Sequence, residues 1–287
     1  MNGPQLRISH RSLTIAAVAL VGVVSLAIGA HAALNKRALD TAKEIAAEAS
    51  VDAGKKASRL ALVIGNGHYP DANAPLSQPI NDARGLTAAL RSDGFDVDVV
   101  EDASRDDMSR AIARLKSKIR PDSVVMLFFG GYGIQVGRES YMIPVDATIW
   151  KESDVRRQGI SIESVLEAMK EQGACAKLVV IDASRRNPYE RRFRAFSHGL
   201  APIAAPDNAL ILTSATPGKV ADDGKGEHSV LMTALLGNLA ADQAAAETVF
   251  NKTRTAIARA SEGEQVPTVS SSLLEDVRLS ATENAGG

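Results

Sequence analysis

Two short apolar runs constrain the fold of this chain more than any other feature of its sequence. The run VVMLFFGGYGIQ, at residues 124–135, opens into glycines around one aromatic residue, and the run KLVVIDASRRNP, at residues 177–188, ends in small and charged residues. Runs of about four to six consecutive apolar residues bounded by turn formers are typical of parallel strands that are buried on both faces. Ligands of open α/β sheets bind beyond the carboxyl ends of the strands, so we expect Tyr132 and Ser184 at a functional site.

Segments typical of strands and of helices alternate along the rest of the chain. Further strands are predicted at 59–65, 95–100 and 209–215, with a short last strand near 276–279 and a hairpin within 134–145. Helices are predicted at 80–92, 104–119, 161–170, 230–241 and 244–260, with Ser104 and Ser161 as caps. This alternation predicts an α/β fold in which a mostly parallel sheet is covered by helices on both faces.

The composition limits the classes of function. A chain of 287 residues with 45% hydrophobic content can bury the core of one domain of about 200 to 230 residues and carry extra segments. Because 33 Lys and Arg residues balance 34 Asp and Glu residues, no overall field attracts nucleic acid, and we expect no nucleic-acid partner. The single cysteine, Cys175, excludes an internal disulfide, and the five histidines show no metal-ligand spacing.

The amino-terminal segment predicts export. Residues 13–30 are apolar and carry no charge, a length between a signal-peptide apolar region and a membrane-spanning helix of about 18 to 20 residues. Arg7 and Arg11 precede this segment, and Ala30-His31-Ala32 resembles a cleavage site. We interpret residues 1–34 as a signal peptide or a signal anchor, with the anchor slightly favoured, which holds the domain at the membrane or releases it into the periplasm.

Two more segments lie outside the predicted domain. Residues 35–58 are rich in alanine and charge and poor in large apolar residues, which predicts a solvated helical spacer. A coiled coil is the alternative, but the segment lacks the sustained large residues of a heptad seam. Residues 281–287 form a polar tail that we predict to be disordered.

Several ordered segments resemble those of the caspase and metacaspase family, in particular its bacterial orthocaspase-like branch. They are ALVIGNGHY, INDARGLTAALRSDGFDV, GGYGIQ with YMIPVDA after it, IDASRRNP, SATPGKVADDGKGEHSVLMTALL and EQVPTVSSSL, and they extend over residues 59–279. The resemblance implies a caspase-like domain at 59–280, a three-layer sandwich with a central sheet of about six strands. It also implies the fold of a cysteine endopeptidase.

Both catalytic positions of that family are substituted. In active members one strand ends in Gly-His-Gly and the other in Asp-x-Cys, and the resemblance implies that Tyr132 and Ser184 stand in place of the histidine and the cysteine. A cysteine beside a histidine forms a thiolate near neutral pH, whereas a serine hydroxyl needs a base that takes its proton. An ordinary tyrosine titrates at about pH 10 and is a poor general base. We therefore predict that Ser184 is close to inert.

The resemblance further implies a pocket for an arginine or lysine side chain of a peptide. Asp82 and Asp182 match its acidic residues in metacaspase-like members, whereas Gly130 replaces a serine or a similar residue. From the residues alone, Asp82 fits equally well as a helix-start carboxylate that accepts backbone amides. Asp182 fits equally well as an ion-pair partner of Arg185, because a buried carboxylate needs a partner.

We predict no cofactor and no metal. Some metacaspases bind calcium through clustered aspartates, and Asp146 and Asp154 lie in a comparable region. The stretch after Ser184 carries Arg191 and Arg192 instead of further acids, and calcium needs several oxygen ligands.

Neither His198 nor His228 matches a catalytic position of the family, and we interpret both as solvated loop histidines. The arginines that follow Ser184, beginning with Arg185 and Arg186, are interpreted as a solvated loop. An acidic partner or a membrane surface is the alternative for this basic run.

Two functions of different classes follow from this sequence. The first is an exported, inactive pseudo-protease that acts by binding a peptide or a protein, with a basic segment as the expected partner. The alternative is a hydrolase that uses Ser184 with a base from outside the family pattern and cleaves after basic residues. The resemblance leaves the oligomeric state open, because caspases dimerise through the last strand and metacaspases usually do not.

Overall fold

A computed structural model of the protein describes residues 58–193, 198–221, 226–241 and 244–279. The strands of these residues are β1 (Arg59–Gly65), β2 (Asp96–Glu101), β3 (Val124–Gly130), β4 (Gly133–Val136), β5 (Glu139–Met142), β6 (Ile160–Ser161), β7 (Ala176–Asp182), β8 (Ala209–Thr213) and β9 (Thr268–Ser271). The helices are α1 (Pro79–Ser92), α2 (Arg105–Lys118), α3 (Glu152–Gln158), α4 (Ile162–Glu171), α5 (Val230–Ala241) and α6 (Ala246–Ala260), and Glu190–Arg192 forms a 3-10 turn.

Three predicted segments fall outside the described residues. They are the signal segment at 1–34, the spacer at 35–58 apart from its last residue, and the tail at 281–287, and all three stay predictions. None of the helices in the described part of the chain is both long and apolar enough to cross a membrane.

The main sheet has six strands in the order β2-β1-β3-β7-β8-β9 within the described residues. All neighbours are parallel except β9, which runs antiparallel to β8. The predicted mostly parallel sheet of about six strands is therefore confirmed. A smaller antiparallel sheet, β4-β5-β6, follows directly after β3.

Both faces of the main sheet are covered by helices. Side chains of β1, β3 and β7 alternate between two apolar clusters, one shared with α2 and α4 and the other with α1, α5 and α6. Every residue of β3 and of β7 is buried, which explains why these strands read as continuous apolar runs rather than as alternating patterns. The three-layer arrangement follows from this burial on both faces.

Local signals set the ends of the helices. The Ser104 hydroxyl accepts the Asp107 amide and the Asp107 carboxylate accepts the Ser104 amide, a capping box that starts α2. Ser161 caps α4 in the same way by accepting the Ser164 amide. Gly94 has a φ of +83° just after α1, a conformation that glycine adopts without strain. The predicted helix starts and this stop are confirmed.

The last strand was predicted in the wrong place. The strand β9 lies at Thr268–Ser271, where Val269 faces the core cluster. In the stretch 276–279, Arg278 makes only an isolated bridge to Ala245. The segment TVSS has the β-branched, alternating character of a half-buried edge strand, and Pro267 directly before it needs no ladder donor. The prediction also missed α3 and β6, which are too short to show a period.

We predict that Leu127→Ala strongly destabilises the protein, because Leu127 is completely buried in the middle of β3. Replacing such a leucine removes its transfer free energy and leaves a cavity, which lowers the free energy of unfolding by about 2 to 5 kcal/mol. Urea unfolding followed by circular dichroism measures the change. The matched control is Leu274→Ala, since Leu274 is 83% exposed and its loss should change stability by less than about 0.5 kcal/mol. Equal effects of the two substitutions would contradict the assignment of β3 to the sheet centre.

Candidate functional site

The register of β3 and β7 brings Tyr132 and Ser184 to the same edge of the sheet. The two strands are direct neighbours, and Gly130 pairs with Asp182 at their carboxyl ends. The hydrogen bonding continues past this pair, because the Gly131 amide donates to the Asp182 carbonyl at 3.3 Å. Tyr132 and Ser184 each follow two residues after the last paired residue of their strand. The sequence-based expectation that these strand ends are neighbours is therefore confirmed.

Tyr132 is part of a packed aromatic cluster. Its backbone amide donates to the Tyr69 hydroxyl at 3.0 Å, and its own hydroxyl donates to the Ala74 carbonyl at 3.0 Å. The rings of Tyr69 and Tyr132 meet edge to face, with centroids 4.8 Å apart. A side chain at Gly131 would meet the Tyr69 hydroxyl at 2.5 Å, so only glycine allows this close approach.

The tyrosines of the chain converge on this place. All four, Tyr69, Tyr132, Tyr141 and Tyr189, belong to one buried apolar cluster next to the tips of β3 and β7. Burial raises the pKa of Tyr69 and of Tyr189 well above the ordinary value of a phenol. Tyr69 and Tyr189 are therefore neutral packing groups at neutral pH, and the cluster acts as a small core.

Ser184 is buried and its hydroxyl is isolated. The residue is 1% exposed, and its Oγ has no hydrogen-bond partner among the described residues. Its backbone is firmly held, since its amide donates to the Ser214 hydroxyl at 3.2 Å and its carbonyl accepts the Ala221 amide at 2.6 Å. No imidazole of the described residues is within hydrogen-bonding distance of this hydroxyl.

Asp182 shares a buried ion pair with Arg185. The Arg185 guanidinium is 3.6 Å from the Asp182 Oδ1 atom, and the side chains of both residues are about 5% exposed or less. The same guanidinium nitrogen donates to the Gly131 carbonyl at 3.0 Å and to the Asp182 carbonyl. The other carboxylate oxygen of Asp182, Oδ2, lacks a hydrogen-bond donor among the described residues.

Asp82 is held by the segment that leads into α5. Its Oδ1 atom lies 2.9 Å from His228 Nδ1 and accepts the Ser229 amide at 3.1 Å. Burial, followed by the nearby Asp182 carboxylate, raises the pKa of Asp82 to about 6. The amide that Asp82 satisfies therefore belongs to the residue before α5 and not to α1 itself.

The helix α1 leaves space for the side chain of His228. A Cβ atom at Gly85 would lie 3.0 Å from the Cε1 atom of the His228 ring, so the missing side chain makes room for the imidazole. Glycine inside a helix costs about 1 kcal/mol relative to alanine. On the same side of α1, Gln78 donates to the carbonyls of Gly226 and His228 at 3.0 and 3.3 Å. The segment 226–229 is thus fastened along the first turns of α1.

A comparison of this chain with known protein families agrees with the fold and with the geometry of the site. The model of the caspase domain matches residues 58–278, which is most of the chain. This chain belongs to the caspase-domain family.

The relatives of this caspase domain include mucosa-associated lymphoid tissue lymphoma translocation protein 1 of Homo sapiens. That protein is 26% identical over 144 residues, which are 50% of this chain and 17% of that protein. The homolog of Mus musculus is 27% identical over 133 residues, or 46% and 16%. The chain therefore spans about a sixth of the length of these curated relatives or less.

Two interpretations of histidines in this caspase domain were wrong. His228 is not a solvated loop residue, because it pairs with the buried Asp82. His198 is only 13% exposed in its side chain, lies 2.7 Å from the Glu190 carboxylate, and accepts the Asn187 amide. Both pairings join residues from different elements or turns, which charge patterns along the chain do not reveal.

The basic run after Ser184 was only in part a solvated loop. Arg186 and Arg191 are exposed, whereas Arg185 is buried. Arg192 pairs with Asp71 at 2.9 Å and lies over the rings of Trp150 and Tyr189. The loop of the caspase domain after β7 is thus anchored at both Arg185 and Arg192.

The two aspartates weighed for calcium have structural partners. Asp146 accepts the first amide of α2, from Arg105, at 2.8 Å. Asp154 accepts the amides of Trp150 and Lys151 and pairs with Arg157 at 2.9 Å. No group of three or more metal-binding side chains occurs within the described ranges.

Sequence reasoning missed Tyr69, Tyr189 and His228 as members of the site. One signal was available for the first two, because in a chain with 4% aromatic residues Tyr69, Tyr132 and Tyr189 each follow shortly after one of the predicted strands. The pairing of His228 with Asp82 spans 146 positions and had no comparable signal.

We predict that Asp82 makes the protein less stable as the pH rises from its unfolded-state pKa of 3.8 to about 6. A raised pKa means that the folded state binds the proton more tightly, so ionisation opposes folding across this window. Each pKa unit corresponds to about 1.4 kcal/mol, which gives a total change of about 3 kcal/mol. The free energy of unfolding of the wild type minus that of Asp82→Asn should fall through the window and then level off.

The measurement is urea unfolding at a series of pH values. It is repeated in the His228→Gln background, which removes the second titratable member of the pair. Asp106→Asn, at an exposed position of α2, is the matched control and should show no such slope. A difference between wild type and Asp82→Asn that rises with pH would mean that the pair stabilises the anion and would contradict this account.

Proposed function

We propose that this caspase domain is a non-catalytic module that binds a peptide or protein segment without cleaving it. The observation that carries the proposal is the environment of Ser184, a buried hydroxyl with no base beside it among the described residues. Tyr132, which follows the neighbouring strand β3, donates a hydrogen bond from its hydroxyl to the Ala74 carbonyl.

The chemistry of acyl transfer supports this proposal. A serine becomes a nucleophile when a base takes its proton during the attack on the carbonyl, and the base must be within hydrogen-bonding distance. A phenol of ordinary acidity is protonated near neutral pH and cannot fill that role. The two histidines nearest in the chain to this region, His198 and His228, are each paired with a carboxylate.

The expected ligand is a segment with a basic side chain. Asp82 and Asp182 are close enough for the Asp182 charge to raise the pKa of Asp82. The Oδ2 atom of Asp182 is a buried acceptor without a donor among the described residues. A buried acceptor without a donor costs about 1 to 3 kcal/mol, so a ligand that brings an N–H group to this atom gains affinity. Guanidinium and ammonium groups offer such donors.

A hydrolase that uses Ser184 is the second candidate. The observation in its favour is that the Ser184 hydroxyl is engaged by none of the described residues, which leaves it available to a base brought by water or by a substrate. This candidate requires Ser184 to become accessible, because it is 1% exposed in the structure.

Peptide hydrolysis separates the two candidates. We expect that peptides with arginine or lysine before a chromogenic leaving group are hydrolysed at the same background rate by the wild type and by Ser184→Ala. The reason is the lack of a base, which normally contributes about 100-fold or more to such reactions. A wild-type rate above background that Ser184→Ala abolishes would replace the binding module by the hydrolase.

Peptide binding tests the expected ligand. A fluorescent peptide that contains arginine should bind more tightly than the same peptide with citrulline, which has the shape of arginine without its charge. Asp182→Asn should weaken binding of the arginine peptide about tenfold, equivalent to about 1.4 kcal/mol. Asp106→Asn serves as the exposed control. Equal affinity for the two peptides would rule out recognition of a basic side chain by this pocket.

A further inference from the structure

The most unusual charged group at the strand tips is the Arg185 guanidinium. It is buried, with 5% exposure, directly after Ser184 in the chain. Three oxygen atoms converge on its Nη1 atom, namely the Gly131 carbonyl at 3.0 Å, the Asp182 carbonyl, and the Asp182 Oδ1 atom at 3.6 Å. Two of these oxygens come from the end of β7 and one from the end of β3. The site that holds this guanidinium is therefore built from both strand tips.

We propose that Arg185 is an internal ligand of the acidic pocket and competes with the basic side chain of a bound peptide for Asp182. The proposal rests on the proposed binding function and adds its regulation. In the structure the Asp182 carboxylate is already paired with Arg185, and an external guanidinium group gains full access to Asp182 only when the Arg185 side chain swings out.

The charges around the pocket support this competition. Its two carboxylates already have internal cationic or hydrogen-bonding partners, Arg185 for Asp182 and His228 for Asp82. A long-range attraction for basic ligands is weakened when each buried acid is paired in this way. On binding, the guanidinium of a peptide then replaces that of Arg185 at Asp182. Binding does not neutralise a free charge in the pocket.

The chemistry of the site fits a guanidinium better than an ammonium group. Its two carbonyl oxygens and one carboxylate oxygen are placed around a nitrogen of the native guanidinium, so a guanidinium ligand reproduces the group that the site already holds. An ammonium group is a compact, strongly hydrated charge that loses more hydration in a buried site. We therefore expect the vacated site to prefer arginine-like ligands to lysine-like ligands.

A simpler role for Arg185 is purely structural, and the experiments below distinguish it from the proposed role. Its hydrogen bonds join the ends of β3 and β7, so it fastens the two strand tips together. A purely structural brace would destabilise the protein when removed and would confer no ligand response. An internal ligand leaves behind a site that a small molecule of the same chemistry can fill.

The first experiment uses the full chain with Arg185→Ala and measures thermal unfolding with methylguanidinium or methylammonium at equal millimolar concentrations. We expect a saturable rise of the melting temperature of Arg185→Ala with methylguanidinium, at least threefold larger than that with methylammonium. The wild type and the control variant Arg186→Ala, at an exposed position, should show no such rise. Adding Asp182→Asn to Arg185→Ala should abolish the response. Equal responses to the two ions would overturn the proposal.

The second experiment measures peptide affinity and covers the case in which Arg185→Ala does not fold. Arg185→Met keeps a long packed stem and removes the charge. We expect it to bind the arginine peptide at least tenfold more tightly than the wild type does, with no gain for the citrulline peptide. Equal affinity of wild type and Arg185→Met for the arginine peptide would overturn the competition and leave the binding function in place. If neither binds the arginine peptide, the binding function fails, and the methylguanidinium response then decides whether Arg185 is an internal ligand.

Discussion

The parallel pairing of β3 with β7 is the interaction on which the rest of the structure depends. The pairing runs without a slip from Val124 and Ala176 to Gly130 and Asp182, so the residues that follow the two strands are placed side by side. A shift by one residue would turn every side chain to the opposite face. The apolar clusters on the two faces of the sheet exclude such a shift, because they need alternate residues of both strands. The register therefore fixes Tyr132 and Ser184 as residues of neighbouring strand ends at the carboxyl edge of the sheet.

At this edge the described side chains are engaged in packing and in ion pairs. Tyr132 belongs to a cluster that contains all four tyrosines, and the Ser184 hydroxyl is buried beside it without a base among the described residues. The neighbouring acids follow the same trend, since Asp182 is paired with Arg185 and Asp82 with His228. The two carboxylates, which would be hydrated in an open cleft, thus have partners within the protein itself. The proposed binding function and the proposed role of Arg185 both follow from this internal satisfaction.

The sequence allowed some of these features to be predicted and concealed others for physical reasons. Buried parallel strands such as β3 and β7 are continuous apolar runs, and capping residues such as Ser104 act within one turn, so both are visible locally. The edge strand β9 is short and polar on one side, and it was predicted in the wrong place. The ion pairs of the site were hidden because their partners are distant in the chain. His228 and Asp82 are 146 positions apart, and Arg192 and Asp71 are 121 apart.

Covalent labelling of Ser184 tests the central claim most directly. A fluorophosphonate probe reacts with serine hydroxyls that a neighbouring base activates, and intact-mass spectrometry of the full chain detects one added group. The account predicts no adduct on the folded wild type, with the same mass spectrum as Ser184→Ala. An adduct that forms on the folded wild type and is absent from Ser184→Ala would show an activated serine and contradict the account.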